Sequence, residues 1–283
     1  MLQLLLLTLP CLGGSVPVTP DPDPGQELVG ISGGCNVSGR KYPWQASLRS
    51  YSKSARGWEH WCGGALINPQ WVLTAAHCME PEDLEACAYR VQVGQLRLCD
   101  HNQLMKITQI VRHPDYNASS GAWGGADIAL LKLEAPVALS DEISPIGLPS
   151  ALSRVPVGKT CWVTGWGDIG PGEPLPWPYH LQEVDVHIRD SSTCDRTYRH
   201  DVPSNDTGRV IRDDMLCAGA PSRGLCHGDS GGPLVCRWNC TWVQVGIVSW
   251  GHHCTIRDLP GVYTRVSSYV SWIRQQISSD VSP

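Results

Sequence analysis

Three short segments of this 283-residue chain carry the side chains that an acyl-transfer reaction needs. Such a reaction uses a hydroxyl nucleophile, a base that takes its proton, a group that fixes the tautomer of the base, and N–H donors for the developing oxyanion. Residues 228–233 (GDSGGP) surround Ser230 with glycines, residues 73–78 (LTAAHC) contain His77, and residues 127–131 (DIALL) begin at Asp127. Ser230 is therefore the candidate nucleophile, His77 the candidate base and Asp127 the candidate orienting group.

Each segment taken alone has an ordinary structural explanation. A serine between glycines is usually a turn residue, a lone histidine is more often structural than catalytic, and an aspartate before an apolar run usually marks the start of a strand. Their combination in the chain order His77, Asp127, Ser230 is much more specific, because known hydrolases arrange the same three groups in that order.

With these motifs in place, residues 31–283 resemble the trypsin-like serine proteases. Further motifs of that family are residues 161–167 (CWVTGWG), 214–219 (DMLCAG) and 249–251 (SWG). Within the family the chain is similar to mast-cell tryptases and mastin-type proteases, on the evidence of residues 213–217 (DDMLC), the proline-rich loop around Trp177, and residues 265–273 (RVSSYVSWI).

The resemblance assigns roles to the matching residues. It implies a serine endopeptidase in which His77, Asp127 and Ser230 form the triad and the backbone N–H groups of Gly228 and Ser230 form the oxyanion hole. The hydroxyl of Ser249 matches the group that supports the buried aspartate. It implies no cofactor and no metal ion.

The resemblance also implies activation by cleavage before Ile31, whose new ammonium group would pair with Asp229. Two features depart from the family pattern: Ser32 stands where valine is usual, and residues 16–30 contain no Lys or Arg. Leu28 occupies the place of the arginine found in tryptase prosegments. The sequence therefore leaves the activating peptidase unknown.

The family's primary specificity pocket maps onto five residues of this chain. Gly224, six positions before the nucleophile, stands where trypsins and tryptases keep an aspartate, and Leu225 follows it. Gly251 and Gly261 match the pocket walls, and His253 stands at the rim where glycine is usual. A buried Lys or Arg would meet no carboxylate there, so we expect cleavage after large apolar or aromatic residues.

Thirteen cysteines indicate an oxidising compartment. The family pattern implies the disulfides Cys62–Cys78, Cys161–Cys236, Cys194–Cys217 and Cys226–Cys254. Cys35, Cys87, Cys99 and Cys240 fall outside that pattern. Cys87 and Cys99 flank one short strand and are candidates to pair, but intermolecular and other intramolecular pairings stay open.

The N-terminal residues indicate a secreted precursor. Residues 1–15 resemble a signal peptide, residues 16–30 a proline- and aspartate-rich prosegment, and residues 31–283 the protease domain, with barrels at about 31–147 and 148–283. N-glycosylation motifs agree with secretion, and they are centred on Asn36, Asn117, Asn205 and Asn239. Storage in secretory granules remains open.

Short runs that contain Val, Ile, Thr and Trp, separated by glycine and proline, predict an all-β fold of two antiparallel halves. The family resemblance implies that these halves are two six-stranded barrels with the active site between them. The predicted strands cover residues 44–48, 71–74, 89–93, 128–133, 161–166, 234–236, 242–250 and 261–266. Helical spacing of Val266, Val270, Ile273 and Ile277 predicts a C-terminal α-helix. Residues 170–179, with four prolines, predict a loop.

The net charge of −5 comes without a dense basic stripe, so nucleic acid and anionic membranes are not expected as partners. No run reaches the length of a membrane span. The expected partners are protein or peptide substrates and an activating peptidase. The proline-rich loop matches an oligomer contact of tryptases, but the sequence favours a rigid exposed loop and leaves homo-oligomerisation open.

Alternative functions are a catalytically silent protease homologue that acts as a binding protein, and an inhibitor or lectin-like module. The complete triad argues against both.

The two adjacent histidines at residues 252–253 could suggest a metal site. The sequence identifies no further ligand for such a site.

Overall fold

A computed structural model describes residues 34–81, 85–100, 103–201, 208–220, 225–251 and 259–279. The predicted signal peptide and prosegment lie outside these ranges. So do five residues to which the sequence assigned roles: Ile31, Asn205, Gly224, His253 and Cys254. In the described part of the chain, no helix is long and apolar enough to cross a membrane.

Six strands of the N-terminal half close into an antiparallel barrel in the order β2-β3-β4-β7-β6-β5. Their bounds are Gln45–Ser52 (β2), Gly57–Asn68 (β3), Trp71–Thr74 (β4), Tyr89–Val93 (β5), Met105–Arg112 (β6) and Ala129–Leu133 (β7). Strand β4 is buried along its whole length. Its apolar side chains contribute to the core of this barrel with Leu48, Val91 and Leu130, all without solvent exposure.

Six strands of the C-terminal half form a second closed antiparallel ring, in the order β8-β9-β10-β13-β12-β11. Their bounds are Thr160–Gly165 (β8), Gln182–Arg189 (β9), Met215–Gly219 (β10), Pro233–Trp238 (β11), Thr241–Trp250 (β12) and Gly261–Arg265 (β13). A two-residue strand, Cys35–Asn36 (β1), pairs with β9 at the edge of this sheet. The predicted all-β fold of two six-stranded barrels is confirmed.

Within the described residues, two α-helices accompany the barrels. Helix α1, Ser191–Asp201, follows β9 and begins where the Asp190 carboxylate accepts the backbone N–H of Thr193 at 2.9 Å, a typical N-terminal cap. Helix α2, Val270–Ser279, is the predicted C-terminal helix, and Val270 and Ile273 are buried. The prediction was wrong in starting it at Val266, which lies in a separate 3-10 turn, Val266–Ser268.

Three of the four predicted disulfides are present, namely Cys62–Cys78, Cys161–Cys236 and Cys194–Cys217. Cys226 is also disulfide-bonded, and Cys254 lies outside the described residues. Cys87 and Cys99 carry free thiols and are not paired with each other, and Cys240 is a free exposed thiol at the β11–β12 turn.

The predicted surface features lie where solvent can reach them. Asn36, Asn117 and Asn239 are exposed. The loop predicted at residues 170–179 contains neither helix nor strand, and Trp177 within it is 75% exposed.

Candidate active site

Asp127 is buried just before β7 and is surrounded by hydrogen-bond donors. Its Oδ1 accepts the backbone N–H of His77 at 2.9 Å, and its Oδ2 accepts the Ser249 hydroxyl at 2.6 Å. The Thr264 hydroxyl donates to the Asp127 backbone carbonyl at 2.7 Å. Since Ser249 and Thr264 belong to β12 and β13, the second barrel fixes an aspartate that the first barrel supplies.

His77 lies in a 3-10 turn that follows β4, next to the Cys62–Cys78 disulfide. Its Nδ1 lies 2.8 Å from Asp127 Oδ2. When Nδ1 donates to this carboxylate, the tautomer leaves Nε2 able to accept a proton. Burial alone lowers the pKa of His77, but the charge and hydrogen bond of Asp127, with the charge of Glu80, raise the pKa above its ordinary value.

The loop around Ser230 leaves two N–H groups available for a substrate. Three N–H groups of this loop donate to backbone carbonyls: Asp229 to Cys226, Gly231 to Val248, and Gly232 to Asp229. The N–H groups of Gly228 and Ser230 donate to no protein acceptor within the described ranges. Two free N–H donors that are separated by one residue suit an oxyanion hole.

Glycine is required at Gly231 for two reasons. Its φ of +76° lies in the left-handed region. A Cβ at this position would also lie 2.2 Å from Thr74 Oγ1 and 2.6 Å from the Gly63 carbonyl. The turn that contains Ser230 therefore packs directly on strands β3 and β4, and β4 leads into the turn that carries His77.

His60, a residue that the sequence did not single out, supports the same loop. Its Nε2 lies 2.9 Å from the Gly228 carbonyl oxygen and its Nδ1 lies 2.8 Å from the Ser47 hydroxyl. Burial lowers the pKa of His60 to about 4, so the ring is neutral at pH 7, and its Nε2–H can donate to Gly228 while Nδ1 accepts from Ser47. No sequence motif distinguishes this histidine from an ordinary strand residue.

Asp229, next to the candidate nucleophile, is fully buried. Its Oδ2 accepts the backbone N–H of Cys226 at 2.9 Å and its Oδ1 accepts that of Gly167 at 3.0 Å. Burial raises the pKa of Asp229 to about 7, although these hydrogen bonds oppose the shift. Among the residues that the structure describes, no cationic group forms an ion pair with it.

His77, Gly228 and Ser230 line one cleft of about 780 Å³. The free thiol of Cys99 and the indole of Trp166 line it as well. The groups that the sequence predicted to act together are therefore brought to one cavity that a peptide can enter.

The predicted pocket residues that the structure describes lie close to one another, although they do not line this cleft. Leu225 is 7% exposed. Its Cδ1 would lie 2.6 Å from a Cβ placed on Gly261, and a Cβ on Gly251 would lie 3.5 Å from the Gly261 Cα. Leu225 thus lies against the face of Gly261 from which a side chain would project, and it presents hydrocarbon there.

Cys62, His77 and Cys78 form a cluster with the spacing of metal ligands. The two sulfur atoms are bonded to each other, so neither is the thiolate that a metal ion would bind. The chemistry of this cluster does not suit a metal site.

Comparison with known proteins agrees with this geometry. The family model described as trypsin matches residues 31–273. The chain is 48% identical to a tryptase of Mus musculus over 280 residues, which cover 99% of this chain and 100% of the relative. It is 44% identical over 277 residues to serine protease 28 of Mus musculus, with 98% and 100% covered.

Proposed function

This chain belongs to the trypsin family and is a serine endopeptidase that acts on proteins or peptides, and from that premise we propose that Ser230, His77 and Asp127 are its catalytic triad. One observation carries the proposal: the His77 ring is held by the buried Asp127 carboxylate at 2.8 Å and shares a cleft with Ser230. This arrangement leaves Nε2 available to act as a base in the cleft that Ser230 also lines.

In the first half of the reaction Ser230 Oγ attacks the substrate carbonyl carbon and His77 Nε2 takes the hydroxyl proton. The peptide C–N bond then breaks, and the imidazolium gives that proton to the leaving amine. An acyl group remains on Ser230. In the second half a water molecule attacks the acyl carbon while His77 again acts as base, and the carboxylic acid and free Ser230 are restored.

The N–H groups of Gly228 and Ser230 stabilise the oxyanion of each tetrahedral intermediate. The loss of one such donor typically costs about 2.7–4 kcal/mol of transition-state stabilisation. The hydrogen bond between His60 and the Gly228 carbonyl supports this assignment, because it fixes the peptide plane that follows Gly228.

For specificity we propose cleavage after large apolar or aromatic residues. Leu225 is buried against Gly261 and offers hydrocarbon to an entering side chain. Gly224 brings no carboxylate to compensate a buried Lys or Arg, and an unpaired buried charge costs several kcal/mol. Burial of a Leu or Phe side chain, by contrast, contributes about 1.5–3 kcal/mol.

We further propose that the chain is secreted and becomes active by cleavage before Ile31. The three disulfides support an oxidising compartment. The buried carboxylate of Asp229 supports activation, because it needs a cation that the described residues do not supply. The ammonium group of Ile31 would meet that need.

The triad can be tested by expressing the chain from Ile31 and adding a fluorophosphonate, which phosphonylates an activated serine. We expect labelling of the unsubstituted chain, none of Ser230→Ala or His77→Ala, and full labelling of Ser54→Ala, which removes an exposed turn serine instead. Near-ultraviolet circular dichroism would check that each variant is folded. Folded, unlabelled parent protein would instead support the silent, binding-protein alternative.

A further inference from the structure

A second cavity, of about 330 Å³, lies on the C-terminal barrel and shares no lining residue with the catalytic cleft. We call it the Arg154–Arg265 pocket. Its apolar walls come from the segment that enters β8 and from strands β11 and β12, and they consist of Leu148, Val155, Trp238, Val243 and Val245. A volume near 300 Å³ is at the lower end of the range of small-molecule sites.

Two guanidinium groups line this pocket, and no Asp or Glu is among its described lining residues. Arg265 is fixed by the backbone: its Nε donates to the Asp213 carbonyl at 3.1 Å and its NH2 nitrogen to the Met215 carbonyl at 2.6 Å. Arg154 is exposed and forms no hydrogen bond or ion pair with another described residue.

The Arg154 and Arg265 guanidinium groups are close enough for their positive charges to repel each other. Burial lowers the pKa of Arg265, and the positive charge of Arg154 lowers it further. Asp213 and Asp214 oppose this effect, but neither carboxylate lines the pocket. The Asp213 carboxylate pairs with Arg209 at 2.8 Å, and that of Asp214 accepts the Ala126 N–H and the Tyr269 hydroxyl.

A third cation, Lys159, lies near one wall of the pocket, although it is not among the lining residues. The Lys159 ammonium nitrogen lies 5.1 Å from the centroid of the Trp238 ring, and Trp238 is one of the pocket walls. The cavity therefore combines an aromatic and aliphatic interior with positive charge at its edge. That combination is complementary to an anion with a hydrocarbon body, because the anion relieves the repulsion between the arginines while the body displaces water from the walls.

We propose that the Arg154–Arg265 pocket binds a small organic anion, a carboxylate with an aromatic or branched aliphatic body, at a site separate from the catalytic cleft. The carboxylate lies between the Arg154 and Arg265 guanidinium groups, and the apolar body contacts Trp238, Val243 and Val245. Binding requires neither activation nor a functional triad.

The test uses the full chain with Ser230→Ala, which prevents self-digestion, and measures binding of 2-naphthoate by isothermal titration calorimetry and by ligand-observed NMR. The matched neutral probe is 2-naphthamide. A carboxylate accepts charge-assisted hydrogen bonds from arginine, which are stronger than those that a neutral amide accepts. We therefore expect naphthoate to bind about fivefold or more tightly than naphthamide.

Variants locate the site. Arg154→Gln removes a charge from an exposed side chain and should lower naphthoate affinity about fivefold while naphthamide binding stays constant. Arg274→Gln removes the same charge from the exposed face of α2 and should change neither. Absence of saturable binding, equal affinity for the two probes, or an equal effect of the two substitutions would overturn the proposal.

Discussion

At the scale of single residues, the proposed preference for apolar substrates rests on Gly224 and Leu225. Leu225 occupies the space above Gly261 with hydrocarbon, and a substrate guanidinium entering beside it would lose water without gaining a carboxylate. An apolar side chain has no such cost. We therefore expect these two adjacent positions to decide which substrates can be held with the scissile bond at Ser230.

Matched peptides that differ only in the residue before the cut measure this preference. We expect kcat/KM for Leu or Phe to exceed that for Arg by about tenfold or more, since about 1.4 kcal/mol of differential binding suffices for that ratio. Gly224→Asp should raise kcat/KM for the Arg peptide and lower it for the Leu peptide. Dominant cleavage after Arg or Lys by the unsubstituted chain would show the pocket assignment to be wrong.

The control for the added charge is Val157→Asp. Val157 is 65% exposed and does not line the catalytic cleft, so a carboxylate there changes the net charge by the same amount without entering the pocket. In this variant, the ratio of kcat/KM for the Leu peptide to kcat/KM for the Arg peptide should equal that of the parent chain.

The sequence alone identified the three residues that we propose react, but it did not identify all of the residues that support them. Asp127, His77 and Ser230 each stand in a distinctive local segment, and the order of the three segments adds information. His60 and Asp214 act through single hydrogen bonds to backbone groups far away in the chain, the Gly228 carbonyl and the Ala126 N–H. Such contacts depend on the folded arrangement of two barrels and leave no local pattern.

At the scale of elements, the turn before β7 is held by the segment before β10. Ala126 has a φ of +52°, an unfavourable value for a residue with a side chain. Its N–H donates to Asp214 Oδ2 at 2.8 Å, and the same oxygen accepts the hydroxyl of Tyr269 at 2.5 Å. The next residue is Asp127, so this network stabilises the backbone conformation that aims the catalytic carboxylate at His77.

Asp214→Ala removes the acceptor and should lower kcat about tenfold or more with little change in KM, because a small displacement of a catalytic group is costly while substrate contacts remain. Tyr269→Phe keeps the carboxylate and should have a smaller effect. Steady-state kinetics on an apolar peptide substrate provide both constants.

Asp213→Ala is the matched control, because this neighbouring carboxylate is 91% exposed and pairs only with Arg209 among the described residues. It should leave kcat unchanged. If the two aspartate variants lose activity equally, or if Asp214→Ala raises KM alone, Asp214 does not position Asp127.

Several strands with an apolar run were predicted well, but strand β9, in which Val184, Val186 and Ile188 alternate with more polar residues, was not among the predicted strands. The strands predicted at residues 71–74 and 89–93 have the predicted bounds as β4 and β5. Strand β3 was not predicted, because its first half, from Gly57 to Trp61, is only partly buried and places Glu59 and His60 between two tryptophans, which gives no regular alternation. Helix α1 was not predicted either, since its sequence is polar and, among residues 191–199, only Cys194, Asp195 and Tyr198 are buried.

At the scale of the whole molecule, the proposed activation would link the N-terminus to the interior of the second barrel. The pKa of Asp229 rises from an ordinary value of 3.8 to about 7 because the carboxylate is buried. The folded chain therefore binds more protons than the unfolded chain between about pH 4 and 7, and its free energy of unfolding falls as pH rises through that window. A shift of this size corresponds to about 4 kcal/mol of unfavourable charge burial at neutral pH.

Cleavage before Ile31 should remove this penalty. The new ammonium group has an ordinary pKa of about 8, so at pH 7 it is charged and can pair with Asp229. We expect the chain that begins at Ile31 to be more stable than the chain that begins at Val16, by an amount that grows from pH 4 to pH 7. Urea unfolding of both chains at several pH values, with Ser230→Ala in each, measures the difference.

The difference between the free energies of unfolding of the two chains separates the effect of Asp229 from that of other titrating groups. His77, whose raised pKa also favours the folded state at low pH, is present in both chains, so its contribution cancels. Asp229→Asn in both chains should abolish the growth of the difference with pH, even though the amide loses one of the two backbone hydrogen bonds and lowers both stabilities. If the unsubstituted chains show equal pH dependence, the Ile31 ammonium group does not pair with Asp229, and the nucleophile loop must be assembled by other contacts.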